Sequence, residues 1–360
     1  MAKLSDIDKN FLVETTIDRD DIVFYNVCDE PFKVYGLLKP DKECDHFRRM
    51  PRDVADSVGY WVGVLSANTA GGRVRFRTDS SYIAINAAMH GVQLSQTFPH
   101  TGAAGFDLYE IIDGEEHFIK QYMPPYEITD GYESLIDFSG FNDFKERKER
   151  EFSIGFPLYS GVKKLYIGIE KSAVLKPAVG YKTPGRIVYY GSSITQGACA
   201  SRPGNTYESM IARRLNCDFL NLGFSGAAGA EMEMANYIAG LDMRAFVFDY
   251  DHNAPDLIFL KKTHKPFFDV VRKANPTIPI VIVTRPEVQK RDVVDERFDI
   301  IEKTYKTAIK NGDKNVYLID GREIMKGIAE DSGTVDGVHP TDLGFYCMAE
   351  KIGDVLERVL

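Results

Sequence analysis

The sequence predicts an α/β protein in which an antiparallel β-sandwich precedes a parallel sheet flanked by helices. Three observations carry that expectation. Residues 21–169 are short alternating runs broken by frequent turns, and residues 187–360 are short apolar runs separated by helical patterns. The first pattern suits packed antiparallel sheets, and the second suits a parallel sheet covered on both faces. Between them, residues 176–185 hold Pro177, Gly180, Pro184 and Gly185 and read as a linker. The expected domains are therefore 1–178 and 179–360, and a chain of 360 residues has room for both.

In the first half, residues 73–77 (Arg-Val-Arg-Phe-Arg) and 82–86 (Tyr-Ile-Ala-Ile-Asn) alternate with the period of a half-buried strand. Residues 106–112 and 115–122 flank Asp113-Gly114, a strong hairpin signal because a type I′ turn needs positive φ at both central positions. Residues 164–169 give another strand, and the charge run at 145–151 reads as a solvated loop or helix face. In the second half, the expected strands are 187–190, 219–222, 245–250, 280–284 and 316–319. The expected helices are 207–215, 231–238, 266–274, 295–310 and 342–360. Parallel sheets of this kind bind ligands beyond the carboxyl ends of their strands. Ser193, Gly226 and Asn253 each follow a strand and should gather at that edge.

Composition narrows the function. Hydrophobic residues make up 44% and charged residues 27%, which describes a soluble globular protein with a real core. A net charge of −9 argues against nucleic acid as the main partner. Five scattered cysteines without a Cys-x-x-Cys spacing suggest neither a disulfide framework nor a zinc clasp, and a reducing compartment fits them best. Residues 1–11 lack a basic segment followed by an apolar run, so no secretory signal is visible. No stretch approaches the ~20 apolar residues of a membrane span. A cytoplasmic location is the simplest expectation, although a chain trimmed of its export signal would read the same. Nothing in the sequence speaks to an oligomer.

The chemistry concentrates in four blocks: Gly191-Ser192-Ser193-Ile194, Gly226, Asn253, and Asp336-Gly337-Val338-His339-Pro340. A serine hydroxyl needs a nearby base to become a nucleophile. His339 is the candidate base, and Asp336, three residues earlier, can fix its tautomer and support the imidazolium. Pro340 suits a first helical position. The backbone N–H of Ser193, the N–H of Gly226 and the amide of Asn253 are candidate oxyanion donors. Arg285 and Tyr250, at strand ends, are expected at the substrate pocket, and Trp61 and Tyr82 are candidate sugar-stacking rings, with core packing the plainer reading for both. Cys199 lies close to Ser193 and reads as a buried filler more readily than as a reactive thiol. Asp251 and His252 are neighbours whose side chains should point apart if the strand continues through them. Cys44-Asp45-His46 lacks the second cluster that a metal site needs.

These residues resemble the SGNH (GDSL-type) hydrolase family over about residues 186–360. Gly191-Ser192-Ser193-Ile194 is similar to the Gly-x-Ser-x-Ile form of the family's nucleophile block, and Gly105-Phe106-Asp107-Leu108-Tyr109 is similar to the Gly-x-Asp-Leu-Tyr motif of the β-sandwich that precedes such hydrolases. Ser192 stands where the commoner motif has aspartate, and Ala254 follows Asn253 where many members have aspartate. The resemblance implies a flavodoxin-like three-layer hydrolase domain after a jelly-roll-like β-sandwich. It also implies Ser193 as nucleophile, Gly226 and Asn253 in the oxyanion hole, and Asp336 with His339 completing a triad. It implies a serine esterase that forms an acyl-enzyme and requires no metal or organic cofactor. The expected partner is a small-molecule or oligosaccharide ester, with a short acyl group such as acetyl on a carbohydrate. Two alternatives stay open: a carbohydrate-binding protein with an inactive hydrolase half, and a thioesterase or lysophospholipase on the same scaffold.

Overall fold

The structure, a computed structural model, describes residues 15–286, 294–327 and 330–360. The segment 1–11, read for an export signal, lies outside the described residues. In the first half two antiparallel sheets pack face to face. One runs in the order β1 (Ile22–Asn26), β9 (Gly161–Glu170), β4 (Tyr82–His90), β7 (Gly131–Asp137). The other runs β10 (Leu175–Pro177), β3 (Arg73–Thr78), β8 (Arg150–Gly155), β5 (Phe106–Ile112), β6 (Glu115–Tyr122), with β2 (Lys33–Tyr35) also paired to β3. Alternate residues fill the space between them, among them Val74 and Phe76, Ile83 and Ile85, Phe106 and Leu108, and Phe152 and Ile154. Asp113 (φ 54) and Gly114 (φ 89) make the turn between β5 and β6 with the left-handed backbone that the hairpin requires.

The second half is a five-stranded parallel sheet in the order β12 (Cys217–Gly223), β11 (Thr183–Gly191), β13 (Ala245–Asp249), β14 (Ile280–Val283), β15 (Val316–Ile319). Successive residues of each strand enter opposite cores, so these strands read as unbroken apolar runs. Ile187 and Tyr189 pack with α4 (Ser193–Gln196), α5 (Tyr207–Leu215) and α9 (Asp342–Val359). Val188 and Tyr190 pack with α6 (Met232–Ala239), α7 (Leu257–Ala274) and α8 (Val294–Lys310). The chain goes from β11 outward to β12 and then back across to β13. The gap between β11 and β13 is therefore the point where strand order reverses, the usual place for a ligand in such a sheet.

Four local expectations need correction. α7 begins at Leu257 and not at Pro266, because the Asp256 side chain caps it by accepting from Phe259 N at 2.7 Å. Pro266 sits inside, where the burial of Leu260, Phe267, Phe268 and Val271 outweighs the backbone bond a proline removes. Besides α3 (His100–Ala103), two short helices, α1 (Arg52–Val58) and α2 (Tyr60–Leu65), interrupt the strand-rich half. The valines and glycines of α1 and α2 are poor helix formers, and docking of Ala55, Val62 and Leu65 into the core of the parallel half sustains them. Part of the expected linker is strand, since Leu175–Pro177 pairs with β3. The charge run is loop up to Glu149, but Arg150 is buried in β8 and pairs with Glu110 at 2.5 Å.

The polar face of β3 meets the parallel half. Arg73 pairs with Asp218 and lies 3.9 Å over the Phe219 ring, and Arg75 lies 3.7 Å over Tyr181. The motif Gly105-Phe106-Asp107-Leu108-Tyr109 also works at this junction. Leu108 enters the sandwich core while Asp107 accepts from Gly204 N at 2.7 Å, and the Tyr109 hydroxyl accepts from Arg202. A Cβ at Gly204 would lie 1.9 Å from the Tyr109 oxygen, so a larger residue there would have to displace the Tyr109 hydroxyl.

Two carboxyls are buried under the carboxyl edge of the sheet. Burial and the neighbouring Asp251 charge push Asp249 well above the usual carboxylate range, with the Thr195 hydroxyl opposing them. Burial likewise raises Glu208 well above its ordinary value. Each holds its proton in the folded chain at a pH where the unfolded chain has released it. The stability that these two groups contribute is thus fully present below the unfolded carboxylate range and is lost as pH rises toward the raised folded values. Asp249→Asn and Glu208→Gln keep the shape and remove the titration. Their denaturation midpoints are expected to fall less than wild type between about pH 5 and pH 8. A wild-type midpoint that rises over that range while the variants stay flat would contradict this.

Candidate active site

β11 ends at Gly191, where a Cβ would lie 2.1 Å from Thr195 Oγ1 and 2.3 Å from the Asp249 carbonyl. β12 ends at Gly223, where a Cβ would lie 2.2 Å from Gln196 N. Both absences let the short helix α4 sit directly on the strand ends. Ser192 caps it, accepting from Ile194 N at 3.2 Å. Ser193 is its first residue, so its N–H is one of the first-turn donors that a helix leaves unpaired. The Ser193 carbonyl accepts from the Tyr159 hydroxyl at 3.2 Å, which braces the turn from the first half of the chain.

His339 and Asp336 arrive on the loop before α9. Gly337 (φ 83) supplies the left-handed turn between them. Pro340 does not open the helix as expected. It pairs with Thr334 in an isolated bridge, and Thr341 is the cap, accepting from Gly344 N at 3.3 Å. The structure brings the three side chains into one series: Ser193 Oγ lies 2.9 Å from His339 Nε2, and His339 Nδ1 lies 2.7 Å from Asp336 Oδ2. The other carboxylate oxygen accepts from the N–H groups of His339 (2.8 Å) and Val338 (3.0 Å). Partial burial pushes the Asp336 carboxyl up, but these N–H donors and the His339 ring together hold it below its ordinary value. A charged Asp336 accepting from Nδ1–H leaves the Nε2 lone pair facing the serine hydroxyl.

Gly226 (φ 69) stands at an exposed turn after β12, in open space, and its N–H has no acceptor among the described residues. Ser225 N donates to Gln196 Oε1 at 3.0 Å, which ties this turn to α4. Asn253 closes the turn after β13 and donates one amide hydrogen to the Phe224 carbonyl at 2.9 Å; its second amide hydrogen has no acceptor among the described residues. The turns carrying Ser193, Gly226 and Asn253 are therefore tied to one another.

The remaining candidates separate. Tyr250 is not at a pocket: its ring is 1% exposed, stacked on Phe248, with its hydroxyl 2.5 Å from Thr263 Oγ1. Aromatic neighbours on the helix-covered face draw it inward. Arg285 donates its N–H to Asp251 Oδ2 at 3.1 Å and holds the His252 ring at 3.1 Å. The other Asp251 oxygen, Oδ1, forms a buried pair with Arg297 at 2.9 Å. Tyr82 is buried and donates to Asp21 at 2.9 Å, so it offers no stacking surface, whereas Trp61 is exposed beside Tyr60. Cys44 and His46 contact each other, and among the described residues no three His, Cys, Asp or Glu side chains are grouped to hold a metal ion. Among the described residues no helix is long and apolar enough to cross a membrane.

Sequence reasoning missed the residues that hold these turns. Asn221 donates to the Thr195 carbonyl at 2.6 Å, and Arg297 bonds the carbonyls of Asp251 (3.1 Å) and Ala254 (2.6 Å) on either side of Asn253. Asp342 accepts from Ser201 N (2.9 Å) and Asn205 Nδ2 (2.8 Å), linking the helix after His339 to the segment that Asp107 grips. Nothing in the sequence marks them out: Asn221 is a polar residue within a strand, Arg297 lies inside α8 and Asp342 opens α9.

Comparison with known proteins agrees with this architecture. Residues 184–357 match the GDSL-like lipase/acylhydrolase family, and residues 22–175 match the GxDLY family, the N-terminus of SGNH-hydrolase-type esterases. A protein described as a GDSL-like lipase, from Bacteroides ovatus, is 28% identical, with a TM-score of 0.82 over 94% of this chain and 98% of that one. The salicylyl-acyltransferase SsfX3 of a tetracycline biosynthetic pathway is 19% identical, with a TM-score of 0.75 over 95% and 99%. The acetyl xylan esterase Est2A of the rumen bacterium Butyrivibrio proteoclasticus is 13% identical, with a TM-score of 0.58 over 94% and 98%; at these last two identities the likeness is one of fold. No curated protein matched.

Cys199 lies in this region, buried, with its thiol pushed up to about 11 by burial, against a lowering contact from Thr97 and with Asp336 adding to the rise. The thiolate is the reactive form, so a raised pKa suppresses reaction near neutral pH. Native protein treated with iodoacetamide at about pH 7.5 should modify Cys199 far more slowly than free thiol, as read by peptide mass spectrometry. Rapid labelling of the folded chain would refute this.

Proposed function

Because the second half of this chain is a GDSL-like lipase/acylhydrolase domain and its first half is the domain that precedes it in SGNH-type esterases, we propose that the protein is a serine esterase acting through Ser193. Ser193 Oγ attacks the ester carbonyl carbon while its proton passes to His339 Nε2. The carbonyl oxygen becomes an oxyanion, met by the N–H groups of Ser193 and Gly226 and the free amide hydrogen of Asn253. Collapse breaks the bond to the alcohol oxygen, which takes the proton from Nε2, and an acyl-enzyme remains. Water then gives a proton to Nε2 as it attacks the acyl carbon; collapse breaks the bond between the acyl carbon and Ser193 Oγ, which takes the proton back from Nε2 as the acid leaves. Asp336 keeps the imidazole in the tautomer that accepts from serine and balances its positive charge. These steps use side chains and backbone groups of this chain.

The observation that carries this reading is the unbroken Ser193–His339–Asp336 series, at 2.9 Å and 2.7 Å. Residues from distant parts of the chain meet there with an acceptor nitrogen facing a hydroxyl. For the substrate we infer a short acyl group such as acetyl on a carbohydrate. Support comes from the likeness of fold to an acetyl xylan esterase.

Ser193→Ala is expected to lower p-nitrophenyl acetate hydrolysis by about 10⁴-fold or more, and Asn253→Ala to lower kcat by about 10²–10³-fold with a smaller change in KM. Equal rates near background for wild type and Ser193→Ala would favour a binding module over an enzyme. Wild type should release acetate from acetylated oligosaccharides and lose activity as the acyl chain lengthens from acetyl to palmitoyl. A rate that climbs with chain length would favour the thioesterase or lysophospholipase reading.

A further inference from the structure

Arg49 belongs to the first half of the chain, and its guanidinium bridges the two halves. It is 1% exposed. Nη1 donates to the Gly223 carbonyl at 2.5 Å and to the carbonyl and side-chain oxygens of Asn221, both at 3.2 Å. Nη2 donates to the Leu65 carbonyl at 2.7 Å and Nε to the Asn68 carbonyl at 3.0 Å. The guanidinium carbon lies 4.7 Å from the centre of the Phe224 ring. None of these partners is a carboxylate, so the charge is buried among neutral acceptors, an arrangement that stability alone seldom favours. Burial accordingly pushes the guanidinium's pKa below its ordinary value, with Tyr159 and Glu208 opposing.

What Arg49 holds is the approach to the candidate oxyanion donors. Gly223 and Phe224 lead into the turn that presents Gly226 N–H, and the Phe224 carbonyl is the one that Asn253 bonds. Asn221, gripped at its side-chain oxygen, uses its amide nitrogen to hold the Thr195 carbonyl of the helix that begins with Ser193. A planar fork with five donors suits several carbonyls at fixed angles, which a lysine cannot match. We propose that Arg49 is a positioning residue for oxyanion stabilisation: it clamps the end of β12 against the first half and so sets where Gly226 and Asn253 aim their hydrogens. The proposal rests on the esterase reading of the same site. Arg49 touches no reacting atom, and its effect passes through Asn221, Gly223 and Phe224.

The test uses the full chain, p-nitrophenyl acetate, and titration of reactive serine with a fluorophosphonate. Arg49→Met removes the fork and leaves buried carbonyls unpaired, so it can fail to fold. Arg49→Lys keeps the charge without the fork, and titration counts competent sites in either variant. In Arg49→Lys we expect kcat per titrated site to fall by about tenfold or more while KM stays within about twofold, because misplaced donors cost the transition state and not substrate binding. Asn253→Ala should then cost several-fold less in the Arg49→Lys background than in wild type, since a donor already misaimed has less to lose. A titratable fraction that drops while kcat per site is unchanged would overturn the proposal and leave a purely structural role. Full additivity with Asn253→Ala would overturn it as well. Wild type that neither burns through p-nitrophenyl acetate nor reacts with the fluorophosphonate would sink the esterase reading itself, a result distinct from either.

Discussion

Backbone meets backbone where α4 rests on the ends of β11 and β12, and the rest of the site is arranged around that contact. It is possible because Gly191 and Gly223 carry no side chains: a Cβ at either would lie little more than 2 Å from its neighbour. The close approach turns the first residue of α4 outward at the carboxyl edge of the sheet, with its N–H unpaired among the described residues and its hydroxyl facing the loop before α9. It also brings Gln196 within reach of Ser225, so a hydrogen bond joins the helix that bears the hydroxyl to the turn that bears Gly226. A looser seat would let these groups drift, and errors of an ångström matter to a reaction that depends on aim.

The two halves of the chain share this task. The sandwich does not present a wetted face to its neighbour. Arg73 and Arg75 alternate with core residues as a solvent-facing strand would, yet they are buried against Asp218, Phe219, Tyr181 and Glu116. Asp107 and Tyr109 grip the segment around Gly204, Asp342 ties that segment to the helix following His339, and Tyr159 braces the Ser193 turn. Contacts from the first half thus reach the serine turn, the loop after β12 and the element next to the imidazole. A buried hydrogen-bond network of this kind tolerates few geometries, since each unpaired member is costly.

Much of the fold was legible because periodicity is a local property. The Asp113-Gly114 hairpin follows from two positions that accept positive φ, and the apolar strands of the parallel sheet follow from burial on both faces. Legibility ended where tertiary packing overrode local preference. Pro266 marks a helix start by its own chemistry, but the capping of Asp256 and the buried face of α7 carry the helix through it. Tyr250 comes just after β13, where a pocket residue would, but the direction of its ring depended on which face of the sheet it joined.

By itself the sequence determined which groups with useful chemistry follow which strands: a hydroxyl, a glycine, an amide and an imidazole with its carboxylate. That was enough to imply a shared edge, because parallel strands end on the same side. Only the tertiary structure decided that Ser193 and His339, 146 positions apart, lie within a hydrogen bond, and that Arg49, Asn221 and Arg297 hold the surrounding turns. Residues that act by bonding backbone carbonyls leave no pattern in a sequence. Their partners are atoms that every residue possesses, and only folding chooses among them.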